Sequence, residues 1–187
     1  MNKSASCLHI LPCGNEGSFE YNICKYVKNG IEDKKEDKFF FEAYNHLRRL
    51  TTDRMDNLAN KYNFKLIKEA YANQLYGSID WISLSKPSFI FNMFNPERGI
   101  NTGAKYKLVT LYVIIMMIKI ARFPCNTIEK KRLFLNRYWY CFMAALLSLF
   151  YPFSKLINCA LNAKTDAEWH NKRYQKCGSE MYLYYRR

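Results

Sequence analysis

A chain of 187 residues, 49% of them hydrophobic, is long enough for one domain with a core, or for a modest soluble part carrying apolar helices. Its net charge of +13 points to anionic partners, lipid headgroups or nucleic acid, while 17% aromatic residues with only 7 Gly and 5 Pro exclude a low-complexity chain. The 7 cysteines contain no Cys-x-x-Cys pair and do not form a disulfide framework, which fits a reducing compartment or isolated thiols.

Residues 1–38 read as an irregular arm punctuated by Pro12, Gly14, Gly17 and Gly30. The stretch from Glu32 to Lys38 alternates acid and base without apolar anchors, as a solvated linker does. Met1 to Gly14 lacks the apolar run of a signal peptide and the Arg-rich pattern of a transit peptide, so targeting is expected from an internal span. Cys7, His9, Cys13 and Cys24 are the ligand types of a tetrahedral zinc site, but their spacing departs from the usual two-residue knuckle. They are weak metal candidates. Unrelated thiols in a loop, or a Cys13–Cys24 disulfide, explain them as well, and no cofactor is expected.

Residues 39–103 are expected to form a helical, aromatic soluble region. Phe40, Ala43, Tyr44, Leu47 and Leu50 fall at helical spacing, giving a helix over 39–50. Thr51-Thr52-Asp53 offers an N-cap for a second helix over 53–76, with Met55, Leu58, Ala59 and Tyr62 as its stripe and Gly77 as its stop. From residue 78 to 103, Trp81 and the phenylalanines sit between Pro87, Pro96 and Gly99, as an aromatic loop on the helices or a segment lying along a membrane.

Residues 104–161 carry two apolar runs, expected to form a two-span transmembrane hairpin. The first, Leu108 to Ile118, extends to about Tyr106–Phe123 if its flanking cations snorkel. The second, Tyr138 to Ser154, is uncharged, has aromatic clusters near both ends, and meets the lower length limit for a span, with Pro152 kinking or ending it. A basic connection with a break at Pro124 joins them. Lys119, Arg122, Lys130, Lys131, Arg132 and Arg137 are assigned to lipid headgroups and to topology. Residues 162–187 form a polar tail, readable as an amphipathic helix ending in an extended anchor. Trp81 of the soluble region and Trp169, Tyr182, Tyr184 and Tyr185 of the tail are the candidate partner contacts, because these residue types anchor interfaces.

No P-loop, nucleophile elbow, His-x-x-x-His pair or dinucleotide glycine fingerprint is present, and neither apolar run holds a carboxylate. The expected protein is therefore mainly α and not an enzyme. It is an accessory subunit of a large membrane complex, in the mitochondrial inner membrane, with other subunits and phospholipids as partners. An endoplasmic-reticulum hairpin protein and a soluble, ribosome-type RNA-associated protein are the alternatives; nucleic acid is not the expected partner.

Overall fold

The computed structural model describes residues 5–12, 14–32, 38–41, 50–130 and 137–187. Their architecture is mainly helical with a small sheet. Strand β1 (Ser6–Pro12) comes from the N-terminal arm, β4 (Lys65–Ala72) from the middle of the chain and β5 (Glu180–Arg186) from the tail. They pair in the order β1-β5-β4, with β5 antiparallel to both neighbours. Ser6 and Lys65 both register on Arg186, and Pro12 and Ala72 both on Glu180, with an irregularity between Leu66 and Lys68. A separate pair joins β2 (Ile31–Glu32) to β3 (Lys38–Phe39).

Period-two alternation explains why the tail sits centrally in the sheet. Met181, Leu183 and Tyr185 are buried on one face of β5, while Tyr182 and Tyr184 point to the other. The first three pack with Met55 and Tyr71 in a core between the sheet and α2 (Thr52–Lys61). On the opposite face Tyr182 meets Trp169 edge to face at 5.6 Å. Trp169 belongs to α7 (Tyr151–Lys172).

A second core gathers α1 (Phe19–Cys24), α3 (Tyr76–Leu84), α4 (Pro87–Met93) and α5 (Thr102–Lys130) around Ile23, Phe39, Ile82, Ile90, Phe94, Leu108 and Ile115. The aromatic stretch 78–103 is thus mostly helical, with a 3₁₀ turn at Pro96–Arg98; Pro87 starts α4 from its first turn, where a missing N–H costs nothing. Helix α6 (Arg137–Ser148) precedes α7.

Several expectations change. The N-cap at Thr51 forms, its side chain accepting from the Arg54 amide, and buried Asn15 accepts from the Thr52 amide at 3.2 Å. The helix it starts ends at Lys61, not at 76. Asn63 (φ 61°) and Asn73 (φ 54°) adopt left-handed conformations on either side of β4, and Asn tolerates that region better than other side chains. Gly77 lies inside α3 rather than ending a helix. The expected helix 39–50 falls largely on residues 42–49, outside the described residues, and Phe39 belongs to a strand. The extended part of the tail is the middle strand of the sheet.

The two apolar runs also differ from two straight spans. Pro124 does not break the chain but is buried inside α5. Proline removes one helical N–H and crowds the preceding turn, and here the adjacent Cys125 amide is met by the buried Ser154 hydroxyl at 3.0 Å. The Tyr138–Ser154 run splits into α6 and α7, which bend by 78° across Leu149 and Phe150. Pro152 falls in the first turn of α7, starting that helix instead of ending one.

Close approach fixes the entry to β5. A Cβ on Gly178 would lie 2.3 Å from the Ala72 carbonyl oxygen, so the strand can pass β4 only with glycine there. Gly178→Ala is expected to lower the unfolding midpoint in urea by enough to signal about 1–3 kcal/mol, because backbone must shift to admit the methyl group. An unchanged midpoint would show that the approach is slack.

Candidate functional site

Helix α3 has no side-chain cap of its own at Leu75. Both its ends are served by distant charges. At the N-terminus the buried Glu168 carboxylate accepts from the amides of Leu75 at 3.1 Å, Tyr76 at 2.6 Å and Gly77 at 3.3 Å. At the C-terminus Lys119 donates to the carbonyls of Ser83 at 3.1 Å and Ser85 at 2.7 Å. A carboxylate at the start and an ammonium at the end complement the helix dipole and satisfy orphan backbone groups.

Arg122, one turn beyond Lys119, extends this cluster. Its side chain is only 5% exposed and its Nη2 pairs with Asp80 at 2.6 Å. Nη1 donates to the Ser83 hydroxyl at 2.7 Å, and Nε donates to Asn158 of α7. One guanidinium therefore ties α3, α5 and α7 together, a geometry that the five fixed donors of arginine make possible. Lys119 and Arg122, expected at lipid headgroups, are turned into the protein instead.

The opposite side of the same helices is apolar and uncovered. Tyr106, Val109, Val113, Met117 and Ile120 form an exposed stripe along α5, at spacings of three and four. Phe142 and Leu146 on α6, the bend residues Leu149 and Phe150, and Phe153 and Leu156 on α7 are exposed as well. Leu149 is 81% exposed and Phe153 63%. Helix α5 is long and apolar enough to cross a membrane, and α6–α7 would give a second only if the bent pair were one span. Only 28% of the apolar window of α5 is buried, less than a core helix would show.

The remaining sequence candidates lie elsewhere. Cys7 Sγ and His9 Nε2 are 3.2 Å apart on β1, at the rim of an apolar cavity of about 200 Å³ shared with Met55, Tyr62, Phe64 and Tyr185. Cys24 is buried in the other core, with Ile23 and Val27, and Cys13 lies outside the described residues. Among the described residues no three His, Cys, Asp or Glu side chains converge as a metal site would need. Lys131 and Arg132 are outside the described residues, as are the side chains of Lys130 and Arg137. Trp81 donates its indole N–H to Glu20 at 3.0 Å, inside the fold.

Tyr185 is almost fully buried, and its hydroxyl donates to Asp56 at 2.6 Å. Burial first, then that carboxylate, push its ionisation well above the usual tyrosine range. The folded value is raised, so this group's stabilisation is complete below the unfolded pKa of about 10 and is lost as pH rises further. Tyr185→Phe is expected to flatten the decline in urea stability above about pH 10 and to cost about 1 kcal/mol near neutrality. A decline of unchanged slope in the variant would remove Tyr185 as its source.

Sequence reasoning missed Glu168, Asp80, Ser154 and Asn158. Asp80 carried a signal, as a lone carboxylate amid Ile79, Trp81 and Ile82. Comparison with protein-family models, with curated proteins and with solved structures gave no match.

Proposed function

We propose that this chain is a non-catalytic, membrane-seated subunit of a larger assembly, attached by the apolar face of α5, α6 and α7. The observation that carries the reading is the extent of that apolar surface: among the described residues the α5 stripe and the bend between α6 and α7 both leave large apolar side chains uncovered. Exposed apolar surface on this scale marks an interaction site, and lipid accepts it without a shaped partner.

The ionic cluster argues for a helix lying in one leaflet over a helix crossing both. Arg122 and Lys119 join α5 to α3, so a crossing α5 would draw Asp80 and the α3 carbonyls into hydrocarbon. A seat in the interface keeps the charged side towards the protein and the stripe towards lipid. The net charge of +13 favours an anionic leaflet, such as that of the mitochondrial inner membrane, where the chain would contact other subunits.

Flotation of the purified full chain with phospholipid vesicles tests this. Binding that survives high salt, release from native membranes only by detergent, and co-purified subunits on a native gel are the expected results. A monodisperse monomer that stays at the bottom of the gradient without detergent would overturn the reading.

A further inference from the structure

A groove of about 430 Å³ runs between α1 and the N-terminal half of α5. Its walls are Phe19, Ile23, Tyr26 and Leu111, and its rim carries Lys107, with Tyr106 and Thr110 on the α5 side. The volume falls in the range of small-molecule sites, and an apolar body with few polar groups at one end is how such sites orient a ligand. We propose that this groove binds one anionic glycerophospholipid, with an acyl chain along Ile23 and Leu111 and the phosphate at Lys107.

Three observations favour that occupant. Lys107 is the charged residue of the lining, and no carboxylate accompanies it, so the rim is cationic. Its ammonium is held at the rim by donating to the Tyr26 hydroxyl at 3.3 Å, on a face of that ring and 4.7 Å from its centre. Tyr106 is both a groove wall and the first residue of the exposed α5 stripe, so the groove opens where the apolar face begins. A lipid half withdrawn from the leaflet would keep its headgroup at the interface while one chain entered the protein.

The inference rests on the membrane reading for the source of its ligand, so the experiment separates the two. Soluble lysophosphatidylglycerol and lysophosphatidylcholine are titrated into the purified full chain and scored by native mass spectrometry. Flotation with phosphatidylcholine vesicles is measured in parallel. One lysophosphatidylglycerol per chain is expected, bound about tenfold more tightly than lysophosphatidylcholine. Lys107→Gln should abolish that preference. Thr110→Trp, a change at an exposed position that fills the groove, should abolish binding of both, and neither variant should change flotation. The Leu149→Asp, Phe153→Asp double variant should do the reverse, losing flotation and keeping the 1:1 complex. Equal binding of the two lysolipids, or binding by Thr110→Trp as tight as by the original chain, would overturn the groove and leave the membrane seat standing. Loss of flotation alone in the original chain would overturn the seat and leave the groove.

Discussion

Arg122→Ala is expected to lower the stability of the chain by about 3 kcal/mol, read as the shift of the urea midpoint at unchanged slope. The magnitude follows from what is left behind. Asp80 loses its partner, and the buried Ser83 hydroxyl and Asn158 amide oxygen lose a donor, all at the junction of α3, α5 and α7. Asp80 is 31% exposed and recovers some water, which sets the value at the lower end for a broken buried pair. Arg122→Lys should restore only part, because an ammonium cannot reach Asp80, Ser83 and Asn158 together. Arg122→Met combined with Asp80→Ala should be less harmful than Arg122→Ala alone, since no charge is then stranded. A loss below about 1 kcal/mol in Arg122→Ala would mean that packing alone holds the three helices.

Leu149→Asp with Phe153→Asp is expected to weaken vesicle binding by about a hundredfold or more while leaving the urea midpoint unchanged. Each large side chain contributes about 1.5–3 kcal/mol when taken fully out of water, and two together correspond to that factor. Both are mostly exposed, so the fold does not depend on them. Flotation over a series of lipid concentrations gives the affinity. Unchanged binding would move the contact away from the bend, and a fallen midpoint would show that the pair packs within the protein.

How much of this was legible in the residues follows from local chemistry. The cap at Thr51 was readable because its signal is three residues long and acts within one turn. The apolar character of α5 was readable from its run, and so was the importance of Pro152, though proline marks a boundary without saying which side of it is helical. Strand β4 was not readable as a strand. Leu66, Ile67, Ala70 and Tyr71 fit the helical spacing and break strict alternation, and the deciding residues, Asn63 and Asn73, are stops only because each takes a positive φ. In a chain with just 7 glycines, asparagine takes over that role at Asn29 as well.

The ionic cluster was less legible still. Arg122 and Lys119 flank an apolar run, which is also where headgroup-facing cations would be. Their partners Asp80, Ser83 and Asn158 lie far away along the chain, and no periodicity links them. Tyr185 posed the same difficulty: among Tyr182, Tyr184 and Tyr185 every position is aromatic, so only the pairing with β1 and β4 decides which ring is buried.

The central place of β5 also sets an order of events during synthesis. β1 and β4 do not pair with each other in the sheet; each pairs with β5 alone, with Ser6 and Lys65 meeting on the same Arg186. While the ribosome is still making α5, α6 and α7, the two earlier strands lack the strand that both pair with, and loop closure over so long a separation is slow. The apolar helices therefore emerge before the layer that buries Met181 and Leu183 exists. On the proposed membrane seat, lipid would therefore meet these helices before the sheet has closed.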